Sequence, residues 1–82
     1  MRVDKYLKVS RLIKRRTVAQ EACDGGRIKV NGNPAKPSKE IKVGDVLSVS
    51  FGNKTLTVKV LSDNEKATKG ESAEMYEVIN EG

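Results

Sequence analysis

The sequence predicts an α+β fold: a short N-terminal helical hairpin packed on a small, mainly antiparallel β-sheet. Three observations predict it. Apolar residues recur at helical spacing only as far as Asp24, polar and apolar residues alternate after Gly25-Gly26, and short Gly/Asn turns separate the alternating runs. At 82 residues the chain is expected to fold as one domain. A domain of this size buries only ~60% of the surface its unfolded chain exposes, which leaves little room for a deep, dry active site.

Between Arg2 and Asp24 the helical spacing comes in two stretches. Val3 and Leu7 lie four apart, with Tyr6 and Val9 beside them; Val18 and Ala22 repeat the spacing, as do Ala19 and Cys23. Two short helices follow from this. At their junction, Ser10 to Arg16, the apolar Leu12 and Ile13 are expected to tuck into the core and force the surrounding cations outward. Gly25-Gly26 should end the second helix, since Gly takes the left-handed conformation without a Cβ penalty.

Arg27-Ile28-Lys29-Val30 alternates as a half-buried strand does, and Asn31-Gly32 offers the two positive-φ residues of a type I′ turn. Pro34 to Lys42, with two prolines, should be extended and irregular. After Gly44-Asp45 a second hairpin is expected, Val46 to Phe51 and Lys54 to Val60 joined by Gly52-Asn53. Leu47, Val49 and Phe51 would share its apolar face with Leu56, Val58 and Val60, leaving Ser48, Ser50, Thr55, Thr57 and Lys59 toward water. Ser62 to Glu74 is polar and aperiodic and reads as a loop with room for one helical turn. Met75 to Ile79 returns as a closing strand, and Asn80-Glu81-Gly82 should fray.

The chemistry of the side chains points away from catalysis. There is no His, and Asp24, Asp45 and Asp63 each fall at an expected turn, where Asp serves local backbone bonding. No Cys, His or carboxylate cluster has metal-ligand spacing, and Gly25-Gly26-Arg27 lacks the pattern of a phosphate loop. No enzymatic activity, cofactor or metal is therefore expected. The single Cys23 reads as a small buried hydrophobe. Charge follows the start Met1-Arg2-Val3-Asp4-Lys5 where a secretory signal would place an apolar run, and no stretch approaches the ~20 apolar residues of a membrane span. A cytoplasmic protein without membrane contact is the expectation.

What remains is charge. The chain carries 16 Lys or Arg against 11 Asp or Glu, a net +5, and the excess is uneven. Residues 1–42 hold 12 cations and 4 anions, net +8, whereas residues 43–82 hold 4 and 7, net −3. Arg2, Lys5 and Lys8 step along the first helix, and Arg11, Lys14, Arg15 and Arg16 crowd the junction. Cations at the start of the second helix oppose its dipole, a term that a polyanion reverses. Arg27 and Lys29, on the polar side of the first strand, extend the candidate set. With only three aromatics and no long recognition helix, binding by shape and phosphate is favoured over base reading. Asp4 is expected to pair with Lys8 four residues on. The acidic second half also fits a module docking a basic partner, a competing expectation.

The run Arg2-Val3-Asp4-Lys5-Tyr6-Leu7, then Ser10-Arg11, Arg15-Arg16-Thr17-Val18-Ala19, Gly26 to Gly32 and Val43-Gly44-Asp45, closely resembles the S-four RNA-binding domain, named for small-subunit ribosomal protein four. The resemblance covers residues 1 to about 50. It implies an αL-type fold whose two helices and first strand form an RNA-binding face, with residues 51–82 completing the same domain. The activities of the catalytic domains that most relatives append are not expected to carry over. Over the full length, Lys8 to Thr17, Phe51-Gly52 and Met75-Tyr76 are similar to the RqcP family of bacterial ribosome-associated quality-control factors. That resemblance implies binding to an obstructed large ribosomal subunit, contacts to large-subunit rRNA and peptidyl-tRNA, and assistance to the partner RqcH in alanine tailing of stalled chains. It marks Arg2 and Arg16 as RNA-contacting arginines and implies a monomer when free. The heat-shock protein fifteen group, a ribosome-rescue family, is similar in the first half and is the alternative.

Overall fold

The computed structural model describes residues 1 to 81. In chain order it has helices α1 (Val3–Val9) and α2 (Arg16–Asp24), strands β1 (Ile28–Val30), β2 (Asn33–Pro34), β3 (Val46–Phe51) and β4 (Lys54–Val60), a 3₁₀ turn (Ser72–Met75) and β5 (Tyr76–Glu81). The strands form one antiparallel sheet in the order β2-β1-β3-β4-β5. The helical hairpin covers one face, where Val3, Tyr6, Leu7, Ala19, Ala22 and Cys23 share a core with Ile28, Val30, Leu47, Val49, Val58 and Val60.

Helices of seven and nine residues are too short to hold themselves in water, so tertiary contacts fix them. For α1 the Pro34–Lys42 segment does this: the Val3 and Asp4 amides donate to the carbonyls of Lys39 (2.8 Å) and Pro37 (3.3 Å). At the end of α2 it is Gly26, at φ 75°, that takes the left-handed conformation. The Gly26 amide then reaches Cys23 and the Arg27 amide reaches Ala22, closing a Schellman motif that aims the chain into β1.

The Asn31-Gly32 turn forms as expected, with φ of 52° and 86° between paired Val30 and Asn33. Asn31 does more than turn. Its Oδ1 accepts from the Val46 amide (3.0 Å) and its Nδ2 donates to Asp45 (3.2 Å), whose other oxygen accepts from the Lys42 amide (2.8 Å). The first hairpin is thereby locked to the start of β3.

Several expectations change. Phe51 lies 46% exposed, because it closes the strand opposite Lys54 at the hairpin end, beyond the reach of the helices. Leu12 is only half-buried at the core margin while Ile13 is buried. Met75 belongs to the 3₁₀ turn, so the closing strand starts one residue later than expected. The reason is its carbonyl, which accepts from the Leu61 amide (2.8 Å) and from the Tyr6 hydroxyl (2.6 Å). Asn80 and Glu81 are paired with Thr57 and Leu56 in β5, and do not fray; Gly82 lies outside the described residues.

Candidate nucleic-acid interface

The helical hairpin is organised around a buried carboxylate. Asp4, in the first turn of α1, is fully buried, and one oxygen, Oδ2, accepts from Arg2 Nη2 (3.2 Å), Arg16 Nε (3.3 Å) and Gln20 Nε2 (3.0 Å). Its Oδ1 accepts from the Lys5 amide (2.8 Å). Burial alone would push this carboxyl up. The hydrogen bonds from Gln20, the Lys5 amide and Arg16, with the charge of Arg16, outweigh it and hold Asp4 below the ordinary carboxylate value. The sequence-expected partner Lys8 is not among the groups on Asp4; the ion pairs are to Arg2 and Arg16, because the side chain turns inward toward α2.

The consequence is positional. Arg2, the N-cap of α1, and Arg16, the first residue of α2, converge on one oxygen, and their side chains stay 45% and 40% exposed. Each spends only part of its donor set on Asp4, since a guanidinium carries five N–H groups in a fixed fork. The remaining donors are held at the surface with the long side chains already ordered.

The other expected cations of the hairpin fall into three places. Lys5 pairs with Glu65 across to the connection between β4 and β5, at 3.2 Å. Lys8, Arg11 and Lys14 line one open groove of about 700 Å³ together with Val9, Glu65, Ala67 and Lys69. Arg11 stands in the left-handed region at φ 64°, an uncommon state for a non-glycine residue. Its amide donates to Lys8 and that of Ile13 to Leu7, so the chain doubles back here and sets Arg11 and Lys14 on the same rim. Arg15, exposed, is the N-cap of α2 with no side-chain cap on the helix.

Arg27 and Lys29 stand apart from this cluster. Arg27 packs its guanidinium beside Gly25 at the C-terminal end of α2. Lys29 is exposed between buried Ile28 and Val30, on the sheet face opposite the helices. Sequence reasoning missed Lys69, whose polar, aperiodic segment gives no spacing signal; the available clue was two lysines, Lys66 and Lys69, inside the otherwise acidic stretch from Asp63 to Glu77. It also missed Gln20 and Glu65 as the polar partners that organise the cations. Among the described residues no His, Cys, Asp or Glu group is arranged to hold a metal ion, and no helix is long and apolar enough to cross a membrane.

Known proteins converge on the same part of the chain. Residues 1–47 match the S4 domain, and all seven cations from Arg2 to Arg16 fall within that match. The chain is 59% identical over 81 residues to the "RQC P-site tRNA stabilizing factor" of Streptococcus pneumoniae, covering 99% of this chain and 92% of that protein. It is 54% identical over 81 residues to the protein of the same name from Bacillus subtilis, covering 99% and 94%. Among solved structures, heat shock protein 15 of Vibrio cholerae superposes with a TM-score of 0.86 at 28% identity, over 95% of this chain and 80% of that one. The two-helix hairpin on a five-stranded antiparallel sheet is thus shared with that protein, while the full-length identity lies with the first two, and the chain belongs to the S4-domain family of RQC P-site tRNA stabilizing factors.

Proposed function

We propose that this protein is a non-catalytic RNA-binding factor of ribosome-associated quality control. It binds a large ribosomal subunit obstructed by peptidyl-tRNA, touches both rRNA and tRNA, and supports RqcH while alanine residues are added to the stalled chain. The observation that carries the reading is the Asp4 anchor, which presents Arg2 and Arg16 side by side from the starts of two helices. An arginine fork grips phosphate oxygens bidentately, and ordering it on folding lowers the entropy cost of binding. Lys5, Lys8, Arg11, Lys14 and Arg15 surround that pair on the hairpin, while Arg27, at the C-terminal end of α2, and Lys29, on the opposite sheet face, offer contacts away from it. The full-length likeness to proteins named for stabilising a P-site tRNA supports this reading over that of a heat shock protein 15-like rescue factor.

The test is co-sedimentation with large subunits carrying peptidyl-tRNA. Arg16→Glu would set a carboxylate against Asp4 and confound folding with binding, so Arg16→Gln, which keeps a donor for Asp4, is the informative variant. It should lose most of its co-sedimentation while melting close to the parent. Full co-sedimentation of a folded Arg16→Gln protein refutes the proposal.

A further inference from the structure

The groove beside the helix junction is built from both halves of the chain. One wall is Lys8, Val9, Arg11 and Lys14; the other, Glu65, Ala67 and Lys69, belongs to the β4–β5 connection, outside residues 1–47 that match the S4 domain. Among the described residues Lys8, Arg11, Lys14 and Lys69 have no carboxylate in ion-pair range, and the one carboxylate on the rim, Glu65, is paired with Lys5. Four like charges around one depression are mutually repulsive, and no carboxylate among the described residues forms an ion pair with any of them.

The connection is held in place for this. The buried Ser72 hydroxyl donates to the Lys69 carbonyl at 2.8 Å and the Ser72 amide to Thr68 at 3.0 Å. Thr68 is in turn fixed by its amide (3.2 Å) and hydroxyl (2.9 Å) on Glu71. Lys5–Glu65 ties the same segment to α1. The strained backbone of Arg11 on the opposite wall brings a cation to that rim where glycine would sit without cost.

We propose that this groove is a second phosphodiester-binding site, separate from the Asp4-anchored arginines, and that Lys69 is one of its contact residues. A run of nucleotide backbone presents spaced phosphates and intervening ribose surfaces. The four cations match the former, and the apolar Val9 and Ala67 between them match the latter. The inference rests on the chain's reading as an RNA-binding factor, and it assigns part of that binding to the half whose net charge is −3.

The experiment is a nuclear magnetic resonance titration of the full chain with a short RNA duplex, paired with salt-dependent affinity measurements on the same duplex. Amide shifts at Lys8, Arg11, Lys14 and Lys69 are expected in addition to those at Arg2 and Arg16. Lys69→Gln should lower the logarithmic salt slope by ~0.7 to 0.9, the loss of one phosphate contact. Arg11→Gly should weaken binding while keeping or raising the melting temperature. Shifts confined to Arg2 and Arg16, or an unchanged slope in Lys69→Gln, reject the groove and leave the proposed function standing. Shifts confined to the groove reject the arginine platform instead, and no shift at either place rejects both. Equal displacement by a polyglutamate peptide at the groove resonances rejects the phosphodiester assignment.

Discussion

The Tyr6 hydroxyl donates to the Met75 carbonyl at 2.6 Å, joining the middle of α1 to the turn that opens β5 across 69 residues of sequence. Both groups are buried, and burial pushes the phenol well above its ordinary pKa, with the neighbouring Tyr76 adding to the shift. Tyr6 therefore stays a neutral donor throughout the physiological range. Tyr6→Phe removes the bond and keeps the ring, while the Leu61 and Ser62 amides still satisfy the carbonyl. The expected cost is about 1 kcal/mol in a denaturant titration, or a fall of roughly 4–8 °C in Tm. An unchanged midpoint would show that the Leu61 and Ser62 amides suffice.

Acid should loosen the helical hairpin in a defined window. The Asp4 carboxyl lies below its ordinary value in the fold, so the unfolded chain takes up its proton first. Its contribution to stability is complete above the unfolded value of ~3.9 and is lost as pH falls through the lower folded value. Asp4→Asn removes that part of the pH dependence. It should cost about 1–2 kcal/mol at neutral pH, a modest figure because the two arginines are partly solvated. Thermal melts of both proteins from pH 7 down to pH 2 provide the comparison, and parallel curves would remove Asp4 from the account.

Cys23 should be a slow thiol. Burial pushes it up to about 11, with the charges of Asp4 and Asp24 adding to the effect. Little thiolate is present at neutral pH. Labelling with a disulfide reagent should be slow for the native chain and speed up sharply in denaturant, and equal rates would contradict the packing of α2 against the sheet.

Asn31→Ala should be costly for a surface turn. The substitution puts a residue with no left-handed preference at φ 52° and removes the bonds to the Val46 amide and to Asp45. A loss of about 1–2 kcal/mol is expected from the backbone and hydrogen-bond terms together. Asn31→Gly, which restores the conformation without the bonds, should recover part of it; an Asn31→Gly chain that melts with the parent would refute the side-chain role.

Phe51→Ser should be nearly silent, within ~0.5 kcal/mol, since exposed positions away from special features rarely count for more. This tests a point on which alternation misleads. Period 2 correctly separates Leu47 and Val49 from Ser48 and Ser50, yet it has no knowledge of where the covering helices stop. The longer strands, the turns and both helices were legible because each rests on local spacing or on a Gly or Asn with a required φ; the two-residue β2, with Pro34 in it, was not. Asp4 was harder: the i to i+4 spacing to Lys8 is a surface rule, while the actual partners Arg16 and Gln20 are set by how α1 and α2 cross. Lys69 was illegible for the same reason, being brought to Lys8 and Arg11 by the tertiary path of an aperiodic segment.

The sheet has two ends, and each discourages a further strand. At one, β2 is only two residues long and includes Pro34, which has no amide to donate. At the other, the register of β5 slips between Thr57 and Val58, a bulge that breaks the regular row of exposed donors and acceptors while Val78 and Ile79 stand in the open. A flat edge carrying those two side chains would be a template for self-association. With both rims blunted, neither end of the sheet offers a second copy a regular row of backbone groups to pair with.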